Sequence, residues 1–511
     1  MKVTQFLLSL ALAFGFVPTG LQAAELVQRG DVGLPQIEGP IAVSEASHPF
    51  DSAAHSEQPQ DIAAQGYVED EYLMRGTGRI FDLPLDDKLR RIADGPYVTR
   101  ILVRRPRNVS RFNGTVIIEP LNSSMMVDSD LMWMLGRDQF MRDGDIWIGI
   151  TYKPVSVAAL KRFDPARYAA LSLANPLPQG ERCPDPEVKN SSDMEMGFEF
   201  DMLSQLGALV RSDAADNPLR DYPVARIFMT GFSQTAGIAR AYAVSISPLV
   251  TAGGGKRIYD GYFMGGHAPF GNPFNNCDKV YSAGDPRLVV KPVGVPFIDL
   301  EVEGDVPVSR YLRRPDSDTA PDLYRRYEIA GGTHSGALFH QWGPGSEDQK
   351  RSDVRIGTPD GCIPPGKPPS AFPLNYPVDA IWRNLDDWVA KGVPPPHGEP
   401  IELQKLASGF DAAGHLVPVR DAEGNALGGV RSVAVDVPTA SWYGARDGAP
   451  VCLRSGYGEP FTPAKLRELY PTHAIYVEKV KQAVQRLVDT RWLTEPDGKT
   501  IVAEAETARI P

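Results

Sequence analysis

The sequence predicts an α/β protein in which a mostly parallel β-sheet is covered by helices on both faces. Short apolar runs such as 115–120 and 146–150 have the length and composition of strands that are buried on both sides. Amphipathic helical patterns such as 195–211 alternate with these runs from residue 66 to residue 391. The alternation is typical of a parallel sheet, because each crossover between parallel strands needs a long connection, usually a helix.

The elements follow one another in a regular order along the chain. The predicted strands are 67–73, 97–103, 114–121, 146–150, 225–230, 260–264, 296–302 and 327–330. The predicted helices are 132–142, 195–211, 236–247 and 378–391. A further helix is expected at 463–490, beyond the last predicted strand. The helix at 195–211 has an apolar stripe that would face the sheet, formed by Phe198, Met202, Leu206 and Leu209.

The chain has 511 residues, which exceeds the usual size of one compact core. We therefore expect a main sheet domain with insertions at 66–395, preceded by a polar N-terminal arm at 25–65. Residues 396–511 have their own turns and helix. They are expected to form a C-terminal extension that packs on the main domain.

Composition and charge exclude several classes of partner. The net charge of −11 argues against nucleic acid, since phosphate binding needs a basic surface. Hydrophobic residues make up 42% of the chain and charged residues 23%, as in ordinary globular proteins. No run after the N-terminus is long and apolar enough to suggest a membrane anchor.

The N-terminus has the pattern of a secretory signal peptide. Lys2 precedes the apolar run 6–17, and the small residues Ala23 and Ala24 follow it at a suitable cleavage point. We therefore expect residues 1–24 to be removed and the protein to be periplasmic or secreted by a bacterium.

The cysteines fit the same compartment. The chain has four of them, and none is in a C-x-x-C pair, which argues against a zinc or redox motif. In an oxidising compartment we expect at least one disulfide, with three pairings open for Cys183, Cys277, Cys362 and Cys452.

The strongest local motif is Gly231, Phe232, Ser233, Gln234 and Thr235, between a predicted strand and a helix rich in small residues. A serine at such a tight strand-to-helix turn is typical of the nucleophile in the α/β-hydrolase fold. The usual pattern is G-x-S-x-G, and Thr235 stands at the last glycine position. The alternative is an ordinary turn in which the serine caps the helix. The setting favours Ser233 as a nucleophile and an α/β-hydrolase fold for the main domain.

A nucleophilic serine needs a base, usually a histidine, that accepts its proton. In this fold the chain order is serine, acid, histidine. His334 follows the last predicted strand in a glycine-rich loop, which is where the base belongs. His267 ends an earlier strand and could line the pocket. The other histidines after Ser233 are His340, His397, His415 and His473.

The acid that orients the histidine is expected just after the strand 296–302. Asp305 lies in a turn made by Gly304, directly beyond that strand. Glu303 is two residues earlier and has a longer side chain that could do the same. We prefer Asp305, with Glu303 as the second candidate.

The oxyanion of the tetrahedral intermediate needs preorganised donors. The backbone N–H of Gln234, next after the nucleophile, is the first candidate. The second is expected in the loop after the third strand, from Asn122 or Leu121. Pro120 is excluded, because proline has no N–H.

With these residues identified, the chain resembles the bacterial alpha/beta hydrolase domain proteins, a family related to carboxylesterases. The similarity covers residues 66–511 and lies mainly in the stretches 66–72, 99–106, 113–122, 164–168, 231–235, 330–334, 421–431 and 469–471. The resemblance implies a serine, acid and histidine triad with Ser233 and His334. It leaves the acid open, because the family pattern is acidic at both the Glu303 and the Asp305 positions.

Taken together, these features predict an exported serine hydrolase that cleaves a small-molecule or polymeric carboxylic ester. Amidase, thioesterase or acyltransferase chemistry could use the same residues, and so could a non-catalytic binding protein that kept the fold. We expect no cofactor and no metal, since Asp128 and Asp130 are too few ligands for a cation and no dinucleotide motif occurs. The sequence leaves the oligomeric state open.

Overall fold

The structure is a computed structural model of the whole chain. It describes residues 24–185, 187–188, 191–267, 271–282, 284–357, 361–405, 416–446, 452 and 454–510. The predicted signal peptide lies outside the described residues except for Ala24, and so does His415.

Seventeen strands are present in the described part of the chain. They are β1 (Glu25–Leu26), β2 (Gly30–Asp31), β3 (Gln36–Glu38), β4 (Tyr67–Asp82), β5 (Arg90–Pro106), β6 (Thr115–Pro120), β7 (Ile146–Ile150), β8 (Arg226–Phe232), β9 (Val250–Thr251), β10 (Gly261–Gly265), β11 (Phe297–Val302), β12 (Ser317–Thr319), β13 (Asp322–Ile329), β14 (Leu403–Lys405), β15 (Leu416–Pro418), β16 (Ala440–Tyr443) and β17 (Tyr457–Pro460).

Eleven of these strands form one sheet in the order β12-β13-β11-β10-β8-β6-β7-β5-β4-β3, with β1 paired to β5. Its centre is parallel, from β7 through β6, β8, β10 and β11 to β13. The long strands β4 and β5 form an antiparallel pair, and β5 joins β7 in the antiparallel sense. The predicted mostly parallel sheet is therefore confirmed.

Twelve α-helices surround the sheet or follow it in the described residues. They are α1 (Leu131–Asp143), α2 (Pro154–Phe163), α3 (Glu199–Val210), α4 (Gln234–Ala241), α5 (Val306–Ser309), α6 (Ala337–Trp342), α7 (Ser346–Arg351), α8 (Asn375–Lys391), α9 (Val433–Asp436), α10 (Pro463–Leu469), α11 (His473–Asp489) and α12 (Glu495–Thr507).

Helices bury the sheet on both faces, and β6 shows how. Val116 and Ile118 belong to one hydrophobic core, which also contains Leu206 of α3. Ile117 points the other way, into a second core with Trp382 of α8. Because successive side chains of a strand point to opposite faces, a wholly apolar strand indicates a sheet covered twice.

Most predicted strands occur, but several extend beyond their predicted limits. β13 begins at Asp322, five residues before the predicted start. The prediction was too short because Arg325 and Arg326 interrupt the apolar pattern of the strand. Both arginines are nonetheless buried beside acids: Arg325 donates to Asp318 Oδ1 at 2.6 Å and Arg326 to Asp299 Oδ2 at 2.7 Å. Buried arginines that are paired with acids conceal a strand from pattern analysis.

The single helix predicted at 463–490 is wrong. Two helices, α10 and α11, occupy this stretch, separated by a break at Pro471. Proline removes a backbone donor and disfavours a helical residue before it, and the Thr472 side chain caps the next helix by accepting from Ile475 N. The predicted helix 236–247 also ends early, since α4 passes into a π-helical turn at Tyr242–Ile246.

The two flanking segments lie against the main sheet. Strands β1 and β3 of the predicted N-terminal arm pair with β5 and β4. The predicted C-terminal extension has a small core of its own, which includes Val480 and Leu487. It also adds contacts to the end of β13, where the Trp492 ring lies 4.9 Å from that of Tyr327.

Two disulfides are present, Cys183–Cys277 and Cys362–Cys452. Disulfides are typical of proteins that fold in an oxidising compartment. In the part of the chain that the structure describes, no helix has the length and apolar character that a membrane span requires.

A buried ionic cluster anchors β4 and β5. Glu71, which is fully buried, accepts from Arg100 Nη1 at 2.8 Å, Arg167 Nε at 2.5 Å and Tyr168 OH at 2.9 Å. Arg100 also donates to Asp128 Oδ2 at 2.9 Å. Asp130 forms a similar ion pair with Arg104. The acids after β6 thus bind arginines of β5.

Replacing Glu71 with alanine is expected to destabilise the fold by about 3–5 kcal/mol, because two buried guanidinium groups lose a shared partner. Urea unfolding of wild type and variant would measure the difference. An exposed ion pair offers a control: Glu38→Ala, which removes the surface pair with Arg75, should cost less than about 1 kcal/mol. Equal effects of the two substitutions would contradict this account.

Candidate active site

Ser233 stands in the turn between β8 and α4 with a strained backbone, at φ 61° and ψ −122°. Such a conformation is unfavourable for a residue with a side chain and is found mainly at functional turns. Gly231 permits it, because a Cβ at Gly231 would lie 2.5 Å from the carbonyl group of Thr235. The motif thus forms the tight turn that the sequence predicts.

Thr235, which replaces the usual glycine, strengthens the same turn. Its hydroxyl donates to Phe232 O at 3.0 Å, and Phe232 N donates to Thr235 Oγ1 at 3.1 Å. The side chain therefore binds both backbone groups of the residue before Ser233. Threonine at the usual glycine position therefore stabilises the turn.

The structure brings the predicted serine, histidine and aspartate into one line. His334 Nε2 lies 2.8 Å from Ser233 Oγ, and His334 Nδ1 lies 2.6 Å from Asp305 Oδ2. All three residues are buried: Ser233 is 4% exposed, and His334 and Asp305 are each 6% exposed. An Nδ1–H that donates to Asp305 leaves Nε2 able to accept the serine proton.

Each member of this line is placed by the end of a parallel strand. Ser233 follows β8, Asp305 follows β11 and His334 follows β13. β11 lies between β10 and β13, and β10 pairs with β8, so the three carboxyl ends lie at one edge of the sheet. Ligands and reactive groups of open α/β sheets gather at this edge.

Glu303, the second candidate for the acid, points elsewhere. Its Oε2 accepts from Gly331 N at 2.7 Å, and its Oε1 accepts from Arg420 Nη2 at 2.9 Å and Gly444 N at 3.1 Å. The geometry therefore places Asp305, and not Glu303, on the imidazole of His334.

Both predicted donors from the loop after β6 are already engaged. Leu121 N donates to Ile150 O at 2.9 Å, because the pairing with β7 continues one residue past β6. Asn122 N donates to Ser129 O at 2.8 Å, since the loop folds back on itself. The prediction that one of these N–H groups faces the oxyanion is not met by this geometry. Asn122 instead uses its side chain, which donates to Phe232 O at 2.8 Å.

The next residue of this loop, Ser123, fits the expected role of oxyanion donor better than Leu121 or Asn122. Its hydroxyl donates to the Gln234 side chain at 2.8 Å, which joins the loop to the turn after the nucleophile. Neither Ser123 N nor Gln234 N has a hydrogen-bond acceptor within the described ranges. Counting one residue further from the end of the strand would have identified Ser123, but the sequence does not show where the ladder with β7 stops.

His267 belongs to a separate, fully buried group of charged residues. His267 Nε2 is 2.6 Å from Asp299 Oδ1, and Arg240 donates to His267 Nδ1 at 3.1 Å. Burial lowers the pKa of His267, which favours the neutral ring. Although burial alone would raise the pKa of Asp299, its contacts with His267 and with the guanidinium of Arg326 lower it.

The same group is the one place where described residues approach the spacing of metal ligands. Side-chain ligand atoms of His267, Asp299 and Glu301 lie within 4.8 Å of one another. Arg326 Nη1, however, lies 2.7 Å from Asp299 Oδ2, and Arg240 contacts His267. Two guanidinium groups already neutralise these acids and would repel a cation, so the group does not fit a metal.

The other described histidines that follow Ser233 in the chain lie outside this hydrogen-bonded line. His397 Nδ1 lies 2.8 Å from Asp316 Oδ2, and His473 Nδ1 lies 2.8 Å from Ile510 O. His340 belongs to α6, the helix after the His334 loop.

Several solved structures match this chain at low similarity. A carboxylesterase from Lactobacillus plantarum is 12% identical, with 43% of this chain and 73% of that chain covered and a TM-score of 0.27. A dienelactone hydrolase from Anabaena variabilis is 13% identical, with 55% and 96% covered and a TM-score of 0.26. An α/β serine hydrolase without lid from Xanthomonas campestris is 10% identical, with 56% and 97% covered and a TM-score of 0.26.

These likenesses are too distant to inform the activity of this chain, and the chain has no match among curated proteins. A match to a protein family is much more extensive. The family described as alpha/beta hydrolase domain matches residues 37–503, nearly the whole chain, including the arm and the C-terminal extension. This match agrees with the predicted resemblance and with the strand order around Ser233. The chain therefore belongs to the alpha/beta hydrolase domain family.

Proposed function

We propose that the protein is an exported serine hydrolase that cleaves a carboxylic ester through an acyl-enzyme. The observation that supports this most directly is the hydrogen-bonded line from Asp305 through His334 to Ser233, with distances of 2.6 and 2.8 Å. A strained nucleophile turn with a base and an orienting acid is the arrangement that acyl transfer needs.

In the proposed reaction, Ser233 Oγ attacks the ester carbonyl carbon while His334 Nε2 accepts the serine proton. The tetrahedral intermediate collapses, and the alcohol leaves with that proton. Water then attacks the acyl-enzyme with His334 again as the base, and the acid product and Ser233 are released. Asp305 holds the ring in the reactive tautomer and stabilises the imidazolium.

The oxyanion would be stabilised by the backbone N–H groups of Gln234 and Ser123. Gln234 is the first residue of α4, where the N–H has no acceptor within the helix and the helix dipole favours negative charge. The contact between the Ser123 hydroxyl and the Gln234 side chain holds the two residues together. Preorganised donors of this kind contribute roughly 3–4 kcal/mol each to the transition state.

Export is part of the same proposal. The signal-peptide pattern at residues 1–24 predicts it, and two disulfides with no free cysteine among the described residues agree with an oxidising compartment.

A fluorophosphonate probe tests the proposed nucleophile. The purified protein should be labelled at one serine, which peptide mapping should identify as Ser233, and Ser233→Ala should abolish labelling. Ser124→Ala is a suitable control, since Ser124 is an exposed serine of the neighbouring loop. Folded wild-type protein that remains unlabelled would favour a non-catalytic binding protein.

A second measurement separates the possible chemistries. Matched p-nitrophenyl esters, anilides and thioesters with the same acyl groups should be compared by kcat/KM. We expect the esters to react fastest. A preference for anilides or thioesters, or acyl transfer to an added alcohol in place of water, would replace the ester assignment and leave the triad intact.

A further inference from the structure

We propose that Glu303 and Arg420 position His334, so that the C-terminal part of the chain takes part in catalysis. This inference rests on the proposed triad. The C-terminal residues concerned are 416–446 and 454–460, here called the clamp segment. They contain β15, β16, β17 and α9.

The first contact runs through the carboxylate of Glu303. One oxygen accepts from the backbone of Gly331, three residues before His334. The other accepts from Arg420 and from the backbone of Gly444, both in the clamp segment. Glu303 is 1% exposed, so these charge-assisted bonds form away from water, where they are strong.

Arg420 is itself held in place from several directions. Its Nη1 donates to Gly424 O at 3.1 Å and to Trp442 O at 3.3 Å, and its guanidinium lies 4.3 Å from the centre of the Tyr443 ring. A planar guanidinium fixed in this way presents Nη2 to Glu303 in one orientation. The ion pair is therefore a rigid link and not a loose surface contact.

The clamp segment also binds the residues on either side of His334. Gly456 N donates to Thr333 Oγ1 at 2.8 Å, and Ser335 N donates to Arg454 O at 2.8 Å. With Gly331, three positions of the loop that bears His334 are tied to the clamp segment, directly or through Glu303. The loop has little freedom left to move the imidazole.

Two glycines bring the clamp segment this close. A Cβ at Gly444 would lie 2.5 Å from Gly304 N and 2.5 Å from Gly332 O. A Cβ at Gly456 would lie 2.5 Å from Thr333 Oγ1. The backbone of the clamp segment thus touches both the turn before Asp305 and the turn before His334, and it fixes the acid and the base relative to each other.

The test compares kcat and KM for Arg420→Met, Arg420→Lys and Glu303→Gln on a generic p-nitrophenyl ester. Arg420→Met should lower kcat roughly 10- to 100-fold with KM nearly unchanged, since small displacements of a catalytic group have effects of this size. Glu303→Gln keeps an acceptor for Gly331 N and should cause a smaller fall. Arg420→Lys should restore part of the kcat.

Arg142→Met is a matched control. Arg142 also links the C-terminal part to the main domain through buried carboxylates, with Asp497 Oδ1 at 2.9 Å and Asp379 Oδ2 at 3.2 Å, but on the α1 and α8 side. Both Arg142→Met and Arg420→Met should lower Tm, because each removes an ion pair to a buried carboxylate, but kcat of Arg142→Met should stay at the wild-type value.

The outcomes are distinct. If Arg420→Met and Glu303→Gln both keep wild-type kcat, or if Arg142→Met lowers kcat as much as they do, the positioning role is overturned while the esterase proposal stands. If Arg420→Met does not fold, Glu303→Gln, which has nearly the same shape, decides alone. Wild-type protein that hydrolyses no ester would overturn the proposed function and this inference with it.

Discussion

His334→Ala is expected to lower kcat by about 10⁵- to 10⁶-fold, because serine and histidine act as one unit and the loss of either removes nearly all of their joint effect. Ser233 Oγ has its hydrogen-bond acceptor in His334 Nε2 at 2.8 Å, and without this base the hydroxyl remains a poor nucleophile. Steady-state hydrolysis of a p-nitrophenyl ester measures the loss of kcat, provided that the rates are divided by the concentration of folded protein.

His340→Ala serves as the control for this prediction. His340 lies six positions further along the chain, in α6, and is partly exposed. Its replacement should leave kcat within about an order of magnitude of wild type, because the proposed mechanism uses only His334 as the general base. A larger loss from His340→Ala than from His334→Ala would reassign the base.

Asp305→Asn is expected to lower kcat by about 10⁴-fold while the protein stays folded. The carboxylate of Asp305 accepts from His334 Nδ1 at 2.6 Å and so selects the tautomer in which Nε2 can accept a proton. An amide at this position can donate to Nδ1 and thereby favour the unreactive tautomer. Kinetics with the same ester, together with near-UV circular dichroism, distinguish lost chemistry from lost structure.

Glu303→Gln is the comparison for Asp305→Asn, since the two acids are two residues apart and both are buried. The hydrogen bonds of Glu303 go to Gly331, Arg420 and Gly444, and not to the imidazole. Its effect on kcat should therefore be far smaller. A loss from Glu303→Gln equal to that from Asp305→Asn would mean that the acid had been assigned wrongly.

Much of the site was predictable because its signals are local. The strand, glycine turn and small-residue helix around Ser233 lie within about 20 consecutive residues, and the order of acid and histidine follows the order of the strands. The strand β7 was predicted at its observed limits, since its five residues are apolar on both faces. Short-range patterns of this kind survive in a single sequence.

Other features depend on contacts between distant residues, and for that reason the sequence could prefer Asp305 over Glu303 but show no contact that separates them. The choice between Asp305 and Glu303 depends on Arg420 and Gly444, which are more than 100 positions away in the chain. The N–H groups predicted for the oxyanion are engaged elsewhere, because pairing with β7 continues to Leu121 and the loop then folds back from Asn122 to Ser129. No composition or periodicity near these residues records such partners.

The position of the clamp segment in the chain has a consequence for the order of folding. Ser233, Asp305 and His334 are all synthesised before Arg420 and the glycines at 444 and 456. A nascent or truncated chain that ends before these residues contains every reactive group of the proposed triad but lacks the contacts that fix acid and base together. Catalytic competence would then arise as a late event, when the C-terminal residues dock on a sheet that has already formed.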